Sequence, residues 1–379
     1  MIRRFIALLL CVELLALCAP LVVPDSWYLD YYLGPQALQS QANFYNNMNA
    51  SVPNDDTGWA NKPNFQRGSY IIDQWGGRHS HTVTLNKTPE VARYLFLGSS
   101  LVNGDATSTN NETMSFHFEH IMQESNQKVE ALNFGTMVYR LDQMYIQLKA
   151  QLLKFSPDHV VIGLDINPNK ALGNVYIPLF VPEEKNMPYL KPRFEFNANK
   201  DLIQISPPHQ LAQQGNLNEL SEFLAAHDNY YSQFTRFKYM HMTPILYSID
   251  YFASKTQNFL DYLLFDETQY ELTKALMHKI QLLSKEHNFK VSYLFFPIPR
   301  TFQKSLPWKY MPDFYQQRLD LLRQPITTNE PTFDVVDIRE YMQNAQANHS
   351  AFFQDDNYHF TSQGNYEIAK ALKDHLIQQ

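Results

Sequence analysis

The sequence predicts an α/β fold in three layers: a mainly parallel five-stranded sheet between two sets of helices, preceded by a transmembrane helix. Three observations carry that expectation. From residue 91 onward, short apolar runs alternate with stretches at helical spacing, the rhythm of βα units in a parallel sheet. The rhythm breaks once, over 168–265, and then resumes. The chain also opens on a short basic head, MIRR, followed by the apolar run Phe5–Val23.

Phe5–Val23 would make roughly 28 Å of helix, enough to cross a bilayer core. An uncleaved signal anchor and a cleaved signal peptide are the two readings. The following LCAPLVVPDSW lacks a clean A-x-A site, which favours the anchor, and Leu17 before Cys18 argues against a lipoprotein. Arg3 and Arg4 hold the N-terminus in the cytoplasm. The expected location is therefore the inner membrane, single-pass, with the domain on the periplasmic side. Glu13 inside the run costs about 2–3 kcal/mol. It is either tolerated there or meets a partner helix. Both cysteines, Cys11 and Cys18, fall in this segment, so the exported part has neither a disulfide nor a thiol nucleophile.

The expected division is 1–24 anchor, 25–90 polar stalk and N-terminal wrap, and 91–379 the main domain with an insert at about 168–265. Within the domain, Arg93–Leu97 reads as a buried strand. Glu112–Ser125 follows as a helix with Phe116, Ile121 and Met122 apolar, and Val129–Asn133 as a short strand. Arg140–Phe155 reads as one helix, with Leu141, Met144, Tyr145, Leu148 and Leu152 in a stripe. His159–Leu164 is a third strand. In the insert, RFEFNANKDLIQIS reads as a hairpin, and the aromatic-rich stretch at 229–265 is either packing or the wall of a substrate groove. After it come a helix from about Glu267 to His287, the strand Lys290–Phe296, a helix over Pro312–Arg323, the short strand Phe333–Val336 and a last helix over Thr361–Ile377.

Composition excludes some functions. A net charge of −7 with no basic block gives no footprint for nucleic acid. There is no glycine-rich phosphate loop, and the G-x-S-x-G elbow is absent around Ser99 and Ser100. His79 with His81, and His117 with His120, lack a convincing ligand set around them, so no metal and no cofactor is expected.

Four segments that follow strands, or precede the last helix, carry the chemistry. They are Gly98-Ser99-Ser100, Asn133-Phe134-Gly135, Asp165-Ile166-Asn167 and Asp356-Asn357-Tyr358-His359. A parallel sheet gathers ligands at the carboxyl ends of its strands, where these segments lie. A serine needs a base within hydrogen-bond reach, and a histidine base needs an acceptor to fix its tautomer. Asp356 and His359 can supply both from one loop. The N–H groups of Ser100 and Gly135 and the amide of Asn167 can converge as an oxyanion hole.

This combination resembles the SGNH (GDSL-like) hydrolase superfamily. LFLGSSLVNG matches its first block, ALNFGTMVYRLDQ its second, PDHVVIGLDIN its third and DDNYHFTSQG its last. YIIDQWGGR resembles a stretch found ahead of the first block in membrane-anchored members. The resemblance covers about residues 68–379 outside the insert. It implies a flavodoxin-like sheet and a triad of Ser100, His359 and Asp356. It also implies an oxyanion hole of Ser100, Gly135 and Asn167, and an acyl-ester substrate. The usual Gly-Asp-Ser is Gly-Ser-Ser here, which is similar to anchored proteins serving envelope acylation. Asp165 stands where a glycine is usual, beside the oxyanion hole. The expectation is a membrane-anchored serine esterase or acyltransferase on O-acetyl esters of envelope glycans. The alternative is a degenerate fold that binds glycan or partners a membrane acyl-transfer protein.

Overall fold

The computed structural model describes residues 11–12, 50–105, 107–165, 172–180, 190–207, 216–231, 267–302, 310–325, 332–345, 349–354 and 358–378. Most of Phe5–Val23, Asn167, Asp356 and nearly all of the aromatic stretch at 229–265 lie outside them. Among the described residues, no helix is long and apolar enough to cross a membrane.

The chain divides into two compact units, one of which comprises Ala50–Leu172 and Glu267–Gln379. It opens with two small antiparallel hairpins, β1 (Ser51–Asn54) with β2 (Gly58–Asn61) and β3 (Gln66–Arg67) with β4 (Tyr70–Ile71). Residues 50–90 thus belong to the sheet unit.

Its sheet is built from β5 (Ala92–Leu97), β6 (Val129–Asn133), β7 (His159–Leu164), β10 (Lys290–Phe295) and β11 (Val335–Asp337). Their spatial order is β11-β10-β7-β5-β6, and every neighbouring pair is parallel. Counted within the sheet, that is the flavodoxin-like order 2-1-3-4-5. The direction of winding reverses between β5 and β7, which leaves a crevice at the carboxyl ends of those two strands. All six residues of β7 are buried. A strand covered on both faces needs no polar alternation, which is why VVIGL reads as a continuous apolar run.

Alternate residues of the strands feed two cores. Phe96, Ala131, Val161, Leu294 and Val336 share one cluster with α2 (Met114–Glu124), α8 (Ile338–Asn344) and α9 (Ser362–Ile377). Phe118 of α2 is fully buried, its ring 5.5 Å from Phe96, a burial that contributes about 2 kcal/mol. Thr113 caps α2, its side chain accepting from Phe116 N–H, and Thr361 caps α9 through Gly364 N–H. On the other face, α6 (Glu267–His287) and α7 (Met311–Arg323) meet the sheet through tyrosines. Tyr293 of β10 donates to Met277 O, and Tyr315 of α7 donates to Phe295 O.

The helix expected over Arg140–Phe155 is corrected. Its α-helical part, α3, is Leu141–Gln147, followed by a π turn over Leu148–Leu152 and a 3₁₀ turn over Leu153–Phe155. Leu148, Leu152 and Phe155 are buried. A continuous α-helix would give that same spacing, so the apolar stripe cannot reveal the change of winding.

The second unit contains Gly173–Asp266. The hairpin read from RFEFNANKDLIQIS is present as β8 (Arg193–Phe196) and β9 (Leu202–Ile205), antiparallel. Val175, Tyr176, Leu190, Leu220 and Leu224 form a core with the helix α5 (Leu217–His227). The buried Asp228 carboxylate accepts from the N–H groups of Val175 and Tyr176.

Candidate active site

Strand β5 delivers Gly98-Ser99-Ser100 to the crevice, and the chain turns at once into α1 (Ser100–Asn103). The two hydroxyls divide the work. Ser99 is buried and caps α1, its Oγ accepting from Leu101 N–H. Ser100 begins the helix, half-buried. Among the described residues nothing accepts from its backbone N–H, as expected of a first-turn amide. Gly104 ends α1 at φ 82°, a left-handed conformation that favours glycine, and its N–H donates to Ser100 O.

His359 comes from the loop ahead of α9. Gln354 N–H donates to His359 O at 2.8 Å, and Phe353 bridges Phe360, so the loop is folded against its own approach segment. The result is a contact of 2.9 Å between His359 Nε2 and Ser100 Oγ. A hydroxyl and an imidazole nitrogen at that distance can pass a proton.

The loop after β6 takes a different part from the one expected of it. Gly135 N–H, expected at an oxyanion, instead donates to Asn133 Oδ1 at 3.0 Å. Its missing side chain serves packing: a Cβ there would lie 2.2 Å from Asn103 N. Gly135 therefore lets the loop lie directly on α1. Asn133 Nδ2 ties the same loop to Val102 O, while Asn103 and Asn61 both donate their Nδ2 to Gly135 O.

Two residues missed in the sequence brace α1 from below. Arg78 is fully buried, and among the described residues no carboxylate lies within ion-pair distance of it. Its guanidinium donates to the carbonyls of Asn103, Gly104, Thr107 and Thr109 and to Asn110 Oδ1. Carbonyls thus replace the water such a cation would otherwise require. Its centre sits 4.1 Å from the Tyr70 ring centroid. The only sequence signal was the likeness of YIIDQWGGR to a stretch preceding the first block.

Tyr70 Oη lies 2.9 Å from Asn103 Oδ1 and 3.2 Å from Asp105 Oδ1. One hydroxyl hydrogen cannot fully serve two acceptors. Tyr70 therefore divides its single hydrogen between Asn103 Oδ1 and Asp105 Oδ1. Burial pushes the Asp105 carboxyl up from its usual range, against the opposing pull of Arg78 and His359. Asp105 Oδ2 is buried and, among the described residues, has no hydrogen-bond partner.

Asp165 ends β7 at the crevice. It pairs with Arg140 and accepts from Tyr358 Oη at 3.3 Å. The histidines weighed as metal ligands are occupied otherwise. His79 Nδ1 accepts from Asn133 N–H at 3.0 Å, which places the ring proton on Nε2. Asp73 Oδ2 is 3.6 Å from that nitrogen, but burial drives the His79 pKa down to about 3, so the contact is not an ion pair. His81 lies between Glu119 and Glu130 at 3.6 and 3.5 Å, His117 reaches Ser362 Oγ, and His120 pairs with Glu124. Among the described residues no group of His, Cys, Asp and Glu suits a metal.

Fold and site together define a doubly wound α/β protein with a serine–imidazole pair at its topological switch point. No family model matches the chain, and no curated protein matches it. Solved structures similar to it include an acetylxylan esterase from Geobacillus stearothermophilus, at 11% identity and TM-score 0.40, covering 76% of this chain and 96% of that one. A lipase/acylhydrolase from Enterococcus faecalis aligns at 12% identity and TM-score 0.37, over 76% and 95%. A family 3 carbohydrate esterase from Clostridium thermocellum aligns at 10% and 0.37, over 76% and 96%. These are faint likenesses, and the Ser100–His359 geometry stands without them.

Proposed function

We propose that this chain is an SGNH-type ester hydrolase or acyltransferase acting on acyl esters, O-acetyl esters of envelope glycans in the first place. The observation that supports it most directly is the 2.9 Å contact between Ser100 Oγ and His359 Nε2 at the switch point of the sheet. In this reading Ser100 Oγ attacks the ester carbonyl while its proton passes to His359 Nε2. Asp356 is the acceptor assigned to the imidazolium. The tetrahedral oxyanion takes the Ser100 N–H and the Asn167 amide. Collapse breaks the ester bond, and His359 returns the proton to the departing alcohol. Water, or a sugar hydroxyl, then gives its proton to His359 and attacks the acyl-enzyme. Release of the acid or new ester restores Ser100.

The glycan substrate and the periplasmic, membrane-anchored placement rest on the family resemblance and on residues 1–24. The rival reading of a binding-only fold leaned on Asp165 beside the oxyanion hole and on Glu13 in the apolar run. Glu13 lies outside the described residues, and the Asp165 carboxylate is engaged by Arg140, which favours the enzymatic reading. A fluorophosphonate probe tests it. The full chain should label, and Ser100→Ala should not. Intact mass should then catch an acetyl-enzyme with acetylated sugars as donors. An unlabelled wild-type chain without activity on acetyl esters would overturn the proposal.

A further inference from the structure

The residue that departs from the family pattern is also the one that joins the site's segments. Asp165 Oδ2 accepts from Arg140, which closes the loop after β6, and from Tyr358 Oη at 3.3 Å, on the histidine loop. Its own backbone continues β7, a central strand buried along its whole length. One oxygen at the end of a central, buried strand thus receives both neighbouring loops. The side chains of Arg140 and Asp165 are only 14% and 12% exposed, so the pair is shielded from the screening that weakens surface ion pairs.

Tyr358 directly precedes His359, and their rings meet edge-on with centroids 5.2 Å apart. The Gln354 N–H to His359 O bond and the Phe353–Phe360 bridge fix the backbone of that loop. The ring itself meets Ser100 Oγ through Nε2 and the Tyr358 edge at its side. An aromatic edge held there restricts turning about the imidazole's torsions, and the Tyr358 hydroxyl is anchored on Asp165.

We propose that Asp165 is a positioning residue. Through Tyr358 it sets the orientation of the His359 ring over Ser100, and Arg140 balances its charge so that the carboxylate does not oppose an oxyanion forming nearby. A glycine at this position could do neither. The inference rests on the serine–histidine reading, and its test separates the two.

The test compares Tyr358→Phe, Asp165→Ala, Asp165→Asn and the double variant Asp165→Ala/Tyr358→Phe in the full chain, using 4-nitrophenyl acetate. Tyr358→Phe is expected to lower kcat by about 5–20-fold with KM within about twofold and an unchanged melting temperature. The double variant should be no slower than Asp165→Ala, since both break one connection. Asp165→Asn, which keeps an acceptor for Tyr358, should recover much of the loss. The side-chain nitrogen NMR signal of His359 should move in Tyr358→Phe, a readout that needs no turnover. Wild-type kcat in Tyr358→Phe with an unmoved His359 signal, or losses that add in the double variant, would overturn the positioning role. Failure of the wild-type chain to react with a fluorophosphonate would overturn the serine–histidine reading instead, and the NMR comparison would still decide whether Tyr358 sets the ring.

Discussion

Ser100 Oγ and His359 Nε2 sit 2.9 Å apart although 259 positions of sequence separate them. Neither residue reaches the other through local chain geometry. Ser100 is placed by the end of β5 and His359 by the loop that caps α9, and the packing of α9 on α2 brings the two loops together. If the pair is a working unit, removing one member should disable the other. Ser100→Ala and His359→Gln are each expected to lower kcat on 4-nitrophenyl acetate by at least about 10³-fold. The double variant should be no worse than either single one.

Gly135→Ala tests how closely the β6 loop lies on the nucleophile helix. The added carbon meets Asn103 N at 2.2 Å and Asn103 Cα at 2.8 Å, and backbone cannot step aside as a flexible side chain would. A loss of about 2–3 kcal/mol is expected from overpacking. Urea unfolding would measure it. Fluorophosphonate labelling should slow in the same variant, because α1 carries Ser100 and must shift.

Asp105 gives a pH dependence whose sign follows from its burial. Its carboxyl is pushed above the ordinary value of 3.8 in the folded chain. The folded state then holds a proton that the unfolded state releases, so this group subtracts stability as pH rises from 3.8 through the folded pKa. Asp105→Asn should therefore raise the melting temperature at pH 7. The gain should vanish below pH 3.8, where both states carry the proton. A variant that melts lower than wild type at pH 7 would count against burial as the main influence on the Asp105 carboxyl.

The buried histidines act in the opposite sense. Burial lowers His79 to about 3 and His159 to about 4, from 6.5. Below pH 6.5 the unfolded chain takes up protons that the folded chain refuses, so stability falls until pH approaches those lower values. The urea midpoint should drop steadily from pH 6.5 towards 4.5. The slope should be shallower in His79→Gln, whose amide oxygen can still accept from Asn133 N–H.

What could be read from the sequence follows from which forces leave a local trace. Burial on both faces writes itself as apolar runs, so the five sheet strands were legible within a residue or two. Ser100 and His359 were legible because a chemistry-bearing residue directly after an apolar run, or just before a helix, stands out. Pairings across long separations leave no periodicity. Arg78 reaching Thr107 and Thr109, and Arg140 finding Asp165, each depend on where loops meet. The π turn after Gln147 was hidden for another reason: both windings bury the same residues.

The clamp formed by Arg78 has a practical consequence. The guanidinium closes on carbonyls 25 to 31 positions downstream, so the stretch before the first sheet strand is part of the serine's foundation. A fragment trimmed to residues 91–379 would retain every strand of the sheet and yet leave those carbonyls facing an empty slot. Any minimal version of the domain must therefore begin early enough to keep Tyr70 and Arg78, the ring and the guanidinium that pack together under Ser100's helix.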